Sequence, residues 1–176
     1  MTTHPRRKPN RLPAPSYLGQ RFYFVTLCLS ERKKLFTEPE LVKALTEVLK
    51  NACETHAFTV HTYCFMPDHL HLVLCGMNNT ASLPAVVRAF KGRATAAARR
   101  LGIMNLWQKG FYDYVIRSGD SFDRAAAYVL MNPVRAGLVR DFREWPYSGS
   151  FILDWKSIAP PEGSYVAPWK RTGANG

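Results

Sequence analysis

At 176 residues and 47% hydrophobic content, the chain is long enough for one domain with a real core and too apolar to be disordered over most of its length. Lys+Arg number 24 against 13 Asp+Glu, a formal charge of +11 that points to a polyanion, with nucleic acid the commonest such partner. No apolar run nears the ~18 residues of a spanning helix, and the basic start MTTHPRRKPNRLP lacks the apolar stretch of a secretory signal, so neither membrane nor export is expected and the cytoplasm is.

Residues 1–16 carry Arg6, Arg7, Lys8 and Arg11, four prolines and no acid, and read as an extended basic arm. Arg21 to Leu29 is aromatic and β-branched, the mark of a first strand. From Pro39 to Ala57 the residues Leu41, Leu45, Val48, Leu49 and Ala52 fall on one helical stripe. Phe58 to Phe65 and His69 to Cys75 read as two strands joined by a turn at Pro67-Asp68. After a break at Gly76 to Asn79, Thr80 or Ser82 is placed to cap a helix over Leu83 to Leu101. Its apolar side is Val86, Phe90, Ala94, Ala97 and Leu101; Arg88, Lys91, Arg93, Arg99 and Arg100 take the rest.

From His69 to Tyr112 there is no acid against six Lys or Arg. Solvated helix faces mix both signs, so this one-signed stretch predicts a phosphate-binding surface. Gly110 to Ile116 is a fourth strand, and a third helix runs from Asp120 to Met131, with Ser118, Asp120 or Ser121 as caps. Asn132-Pro133 ends that helix or opens its last turn. Beyond Arg140 the aromatic, proline-punctuated tail is expected to pack across a surface. Cys28, Cys53, Cys64 and Cys75 lack zinc spacing, sit in apolar segments and read as core. The order β-α-β-β-α-β, then a helix and a tail, predicts an α+β, ferredoxin-like split βαβ fold, a four-stranded antiparallel sheet with two helices on one face. A catalytic unit over 17–150 would lie between the arm and a tail over 151–176.

The chemistry-bearing stretch is FMPDHLHLVLC, Phe65 to Cys75. Alternation puts His69 and His71 on one face of a strand, about 7 Å apart by strand rise, where two imidazoles can converge on a metal. Asp68 reads first as a turn residue, and more sharply as an outer-shell partner of a histidine. If Leu70 and Leu72 face the helices, the histidines face the open side, which the third helix can cross. On that helix Tyr128 and Asn132 are four apart and share a face. Tyr128 is then a candidate nucleophile and the Asn132 oxygen a third ligand, a set compatible with Mg²⁺ or Mn²⁺. Tyr112 and Tyr114 are rivals without an amide partner at helical spacing. No G-x-S-x-G elbow and no phosphate-binding glycine loop is present, so nucleotide use is not expected.

Together, FMPDHLHLVL, WQKGFYDYVIR and YVLMNPVRAGLV, with the closing WPYS at Trp145 to Ser148, resemble the REP-associated tyrosine transposases, relatives of the HUH single-stranded-DNA transposases. The match runs in order from about Tyr17 to Ser150. The resemblance implies that His69 and His71 hold a divalent metal, that Tyr128 attacks a phosphodiester to give a 5′-phosphotyrosine and a free 3′-OH, and that Asn132 takes the third ligand position. It also implies hairpins of repetitive extragenic palindromes as substrate, gripped by the Arg88 to Arg100 helix and the arm, and favours a monomer over a homodimer. Two other readings compete. A non-catalytic nucleic-acid binder would use the open sheet as a stacking platform and ignore chelators. A metal phosphodiesterase would cleave through water and trap no adduct.

Overall fold

The computed structural model describes residues 14–117 and 122–157. Arg6, Arg7, Lys8 and Arg11, the caps at 118–121 and the tail past 157 lie outside these. Strands β1 (Phe22–Cys28), β2 (Phe58–Met66), β3 (His69–Gly76), β4 (Tyr112–Ile116) and β5 (Ser148–Gly149) form one antiparallel sheet in the order β4-β1-β3-β2-β5. Helices α1 (Pro39–Thr55) and α2 (Leu83–Arg100) cover one face; α3 (Phe122–Leu130) and the single turn α4 (Asn132–Arg135) lie on the other side. Among the described residues no helix is long and apolar enough to cross a membrane.

Strand alternation splits the buried side chains into two cores. Tyr23, Val25 and Leu27 of β1 join Leu70, Leu72 and Leu74 of β3 beneath α1 and α2. Their neighbours Phe24 and Val73 pack with Cys64, Met66 and Ile116 against α3. The central strands are therefore covered on both sides, which is why β3 reads as a nearly unbroken apolar run interrupted by its two histidines.

The helices follow their apolar stripes, and each of α1 and α2 opens with a proline in its first turn, where no backbone hydrogen bond is lost. Ser82 holds the cap position of α2 without a side-chain bond. The stripe of α2 ends at Ala98, with Ala97 only partly buried, and Leu101, expected in the core, is 48% exposed. Steps of four overshoot a 3.6-residue turn. The helix also stops at Arg100, where Gly102 at φ +77 and the bond from Ile103 N to Ala98 O turn the chain.

The expected four-stranded sheet gains a fifth strand. Trp145 donates its indole N–H to Phe65 O at 2.9 Å, Phe65 N donates to Tyr147 O at 2.9 Å, and Ser148-Gly149 pairs with Tyr63 and Cys64. Two residues after a proline carry no periodic signal, so β5 is invisible to pattern reading. Cys28, Cys53 and Cys64 are buried as expected, while Cys75 is only partly so.

At the far end of β3 the backbone of Gly19 crosses Gly76 so closely that a Cβ there would collide with the Gly19 carbonyl oxygen and press on Ala81 Cβ at 3.1 Å. Neither neighbour is a flexible side-chain tip. Gly76→Ala is expected to destabilise the fold by about 3 kcal/mol. An unchanged urea midpoint would contradict that packing.

Candidate active site

His69 and His71 stand on the α3 side of β3, opposite Cys28 and Thr26 of β1 in the ladder. Their rings are nearly perpendicular, with centroids 4.5 Å apart, and the two Nε2 atoms approach to 2.9 Å. Each ring is held from behind through Nδ1: His69 by Asp68 Oδ1 at 2.5 Å, His71 by Thr26 Oγ1 at 2.9 Å. Asp68 in turn accepts from Arg32 at 3.2 Å, so it serves both as turn residue and as ring anchor.

A carboxylate only accepts, so His69 carries its proton on Nδ1 and turns an Nε2 lone pair inward. His71 donates from Nε2 into that lone pair when the Thr26 hydroxyl donates to its Nδ1. If Thr26 accepts instead, two lone pairs face each other and a cation belongs between them. The donor set therefore fits a metal through two convergent nitrogens. Among the described residues no cluster of three His, Cys, Asp or Glu suits a metal.

Tyr128 reaches this face from α3, whose Ala125, Tyr128 and Val129 pack in the core with Phe24 and Val73. Its ring packs on Phe24 at 5.9 Å between centroids, and Phe24 packs on His71 at 5.3 Å. Tyr128 is 4% exposed and His71 9%. Asn132 opens α4, with Met131 alone between it and the end of α3. Its amide nitrogen donates to Tyr128 O at 2.8 Å and Val129 O at 3.2 Å. Two carbonyl acceptors fix which end of the amide is nitrogen, so Oδ1 turns away from the α3 backbone. The i,i+4 spacing thus yields a side-chain-to-backbone contact, not a contact between the two side chains' tips.

The sequence reading missed three residues here. Thr26 shares the alternation of Phe24, so its facing was readable, but nothing in sequence pairs it with His71. Arg32 lies at φ +54 in a tight 3-10 turn, a conformation no pattern announces. Arg135, exposed on α4, sets its guanidinium carbon 4.4 Å from the Tyr128 ring centroid. It is seven residues from Tyr128, two helical turns on, which was the available signal. The rivals Tyr112 and Tyr114 stand opposite Thr26 and Phe24, so they share the histidine face, and Tyr112 is 48% exposed.

The basic residues divide. Arg88, Arg93, Arg99 and Arg100 are exposed on α2, on the side of the sheet away from α3. Lys91 differs: its ammonium donates to Gln108 O at 2.7 Å and Gly110 O at 2.8 Å, and burial lowers its pKa. It fastens the 105–110 segment to α2. A cleft of about 630 Å³ between α2 and that segment is lined by Arg88, Arg99 and Lys109. The segment bonds to the end of β1, with Gln108 N donating to Cys28 O, where Cys28 faces His69 across the ladder. Burial raises the pKa of all four thiols, Cys53 and Cys64 to about 12, which disfavours their thiolate forms.

Thr26→Val, which keeps the β-branched shape and removes the hydroxyl, is expected to weaken Mn²⁺ affinity by roughly 10–100-fold. Calorimetric titration of Mn²⁺ checks it, and an unaltered affinity would remove Thr26 from the site.

Residues 20–131 match the family described as IS200-like transposases. A Haemophilus influenzae chain, provisionally named a REP-associated tyrosine transposase, is 30% identical over 155 residues, covering 80% of this chain and 85% of its own. The REP-associated tyrosine transposase of Escherichia coli is 24% identical over 150 residues, covering 79% and 87%. The solved structure of a REP-associated tyrosine transposase bound to a REP hairpin superposes with a TM-score of 0.65 at 23% identity, over 84% of this chain and 82% of that one, which shows a shared fold. With the family matched over residues 20–131, the chain belongs to the IS200-like transposases and, among them, to the REP-associated tyrosine transposases, enzymes that act on DNA.

Proposed function

We propose that this chain cuts and rejoins single-stranded DNA at hairpins of palindromic repeats through a 5′-phosphotyrosine on Tyr128. The observation that carries the reading is the approach of the His69 and His71 Nε2 atoms to 2.9 Å on the sheet face that α3 covers with Tyr128. The Tyr128 oxygen bonds to phosphorus and the P–O3′ bond breaks. The electron pair leaves with the 3′-oxygen, which takes up a proton, while the phenol proton passes to solvent. The reverse attack by a 3′-OH rejoins strands, so no nucleotide is consumed. His69, His71 and the Asn132 oxygen would hold a divalent ion, Mg²⁺ or Mn²⁺, which when bound polarises the phosphoryl oxygen. Asp68 and Thr26 keep the two rings turned inward.

The hairpin stem would lie along the exposed arginines of α2 and the cleft beside Lys109, which flanks the sheet end carrying His69; Arg6, Arg7, Lys8 and Arg11 would add contacts from the arm. The relative bound to a REP hairpin supports that substrate class. Tyr128 packs on the sheet of its own chain, which supports action as a monomer. The test is incubation with a hairpin oligonucleotide and Mn²⁺, followed by a denaturing gel and peptide mapping. A DNA-linked peptide containing Tyr128 is expected. Cleavage without any linked peptide would mean that water attacks, and binding insensitive to EDTA without cleavage would mean a binder alone.

A further inference from the structure

We propose that Arg135 positions the scissile phosphate against Tyr128, an inference that rests on Tyr128 being the nucleophile. The guanidinium carbon lies 4.4 Å from the ring centroid, in stacking range. A guanidinium stacked by its face keeps its N–H donors in its own plane, directed sideways, where they match the paired oxygens of a phosphate. Among the described residues no carboxylate forms an ion pair with Arg135, so its charge is not spent within the described fold.

The layering of the site points the same way. Tyr128 is 4% exposed, with Phe24 against its ring from the sheet and Arg135 over it from α4. Phe24 is buried and Arg135 exposed. A phosphodiester arriving from solvent on that side meets the guanidinium before it meets the phenol. α4 also holds Arg135 firmly: Arg135 N bonds to Met131 O at 3.0 Å and Ala136 N to Asn132 O at 3.0 Å, and Pro133 fixes the first turn. Arg135 and Asn132 are three apart on this turn, so the phosphate contact and the proposed third ligand move as one body. The competing account is a surface arginine that merely covers an aromatic ring.

Single-turnover adduct formation on a hairpin oligonucleotide with Mn²⁺ separates the two. In Arg135→Ala the rate is expected to fall about 100- to 1,000-fold, the scale for losing a preorganised charge at a phosphoryl centre, while the hairpin Kd changes less than about threefold because many contacts share the backbone charge. Arg135→Lys should regain part of the rate, and guanidinium ion added at millimolar concentration should rescue Arg135→Ala but not Tyr128→Phe. A Tyr128 adduct formed at undiminished rate by Arg135→Ala overturns the proposal alone. So does a loss of rate that tracks a lowered urea midpoint and responds neither to lysine nor to guanidinium, since that is a covering role. An adduct that persists in Tyr128→Phe overturns the nucleophile assignment, and this proposal with it.

Discussion

Tyr128→Phe is expected to abolish the covalent protein–DNA adduct while leaving hairpin binding within about threefold, since the proposed phosphate contacts, the exposed arginines of α2 and Arg135, stay in place. Deleting a nucleophile from an otherwise intact site costs on the order of 10⁶-fold. The fold should tolerate the change: the ring keeps its packing on Phe24, and losing one hydroxyl costs about 1 kcal/mol. Rate and stability therefore separate by several kcal/mol, which makes the variant decisive. Tyr112→Phe is the control, because Tyr112 shares the face and is more exposed. An adduct lost in Tyr112→Phe and kept in Tyr128→Phe would exchange the two assignments.

His71→Ala is expected to lower cleavage about 10³-fold, the equivalent of several kcal/mol of charge stabilisation at phosphorus. EDTA should bring the unaltered protein to a similar level, with Mn²⁺ restoring it but not the variant. Removing the imidazole also strips Thr26 Oγ1 and His69 Nε2 of a partner and leaves a small void beside Phe24, together about 1–2 kcal/mol of stability. That is too little to unfold an ordinary domain. The outcome that sinks the metal assignment is cleavage that survives both His71→Ala and EDTA.

Much of the fold is legible in the chain because its signals are local. The strand at Arg21 to Leu29, the hairpin at Pro67-Asp68 and the stripes of α1 and α2 rest on periodicity and turn chemistry within about twenty residues. Alternation along HLHLVLC alone determines that both histidines share a face and that Leu70 and Leu72 take the other. Where the reading departs from the structure, the cause at Leu101 is the helix end. Leu101 was assigned by a stripe that the helix end cuts off. The charge of Lys91 is readable in the sequence, whereas its two carbonyl partners, seventeen and nineteen residues away, are not.

What the sequence determined by itself is the set of reactive groups: two imidazoles on one strand face, a tyrosine and an amide one helical turn apart, and a one-signed helix. Tertiary structure decided how they meet. Packing α3 on the face away from α1 and α2 brings Tyr128 onto Phe24, the ring that also packs on His71, across nearly sixty residues of chain. Pairing of β1 with β3 recruits Thr26, a turn supplies Arg32, and α4 lays Arg135 over the tyrosine ring. The reason is physical: spacing within one element fixes which side chains share a face, but ring orientation and proton placement depend on hydrogen-bond partners that the sheet and its covering helix supply from elsewhere in the chain.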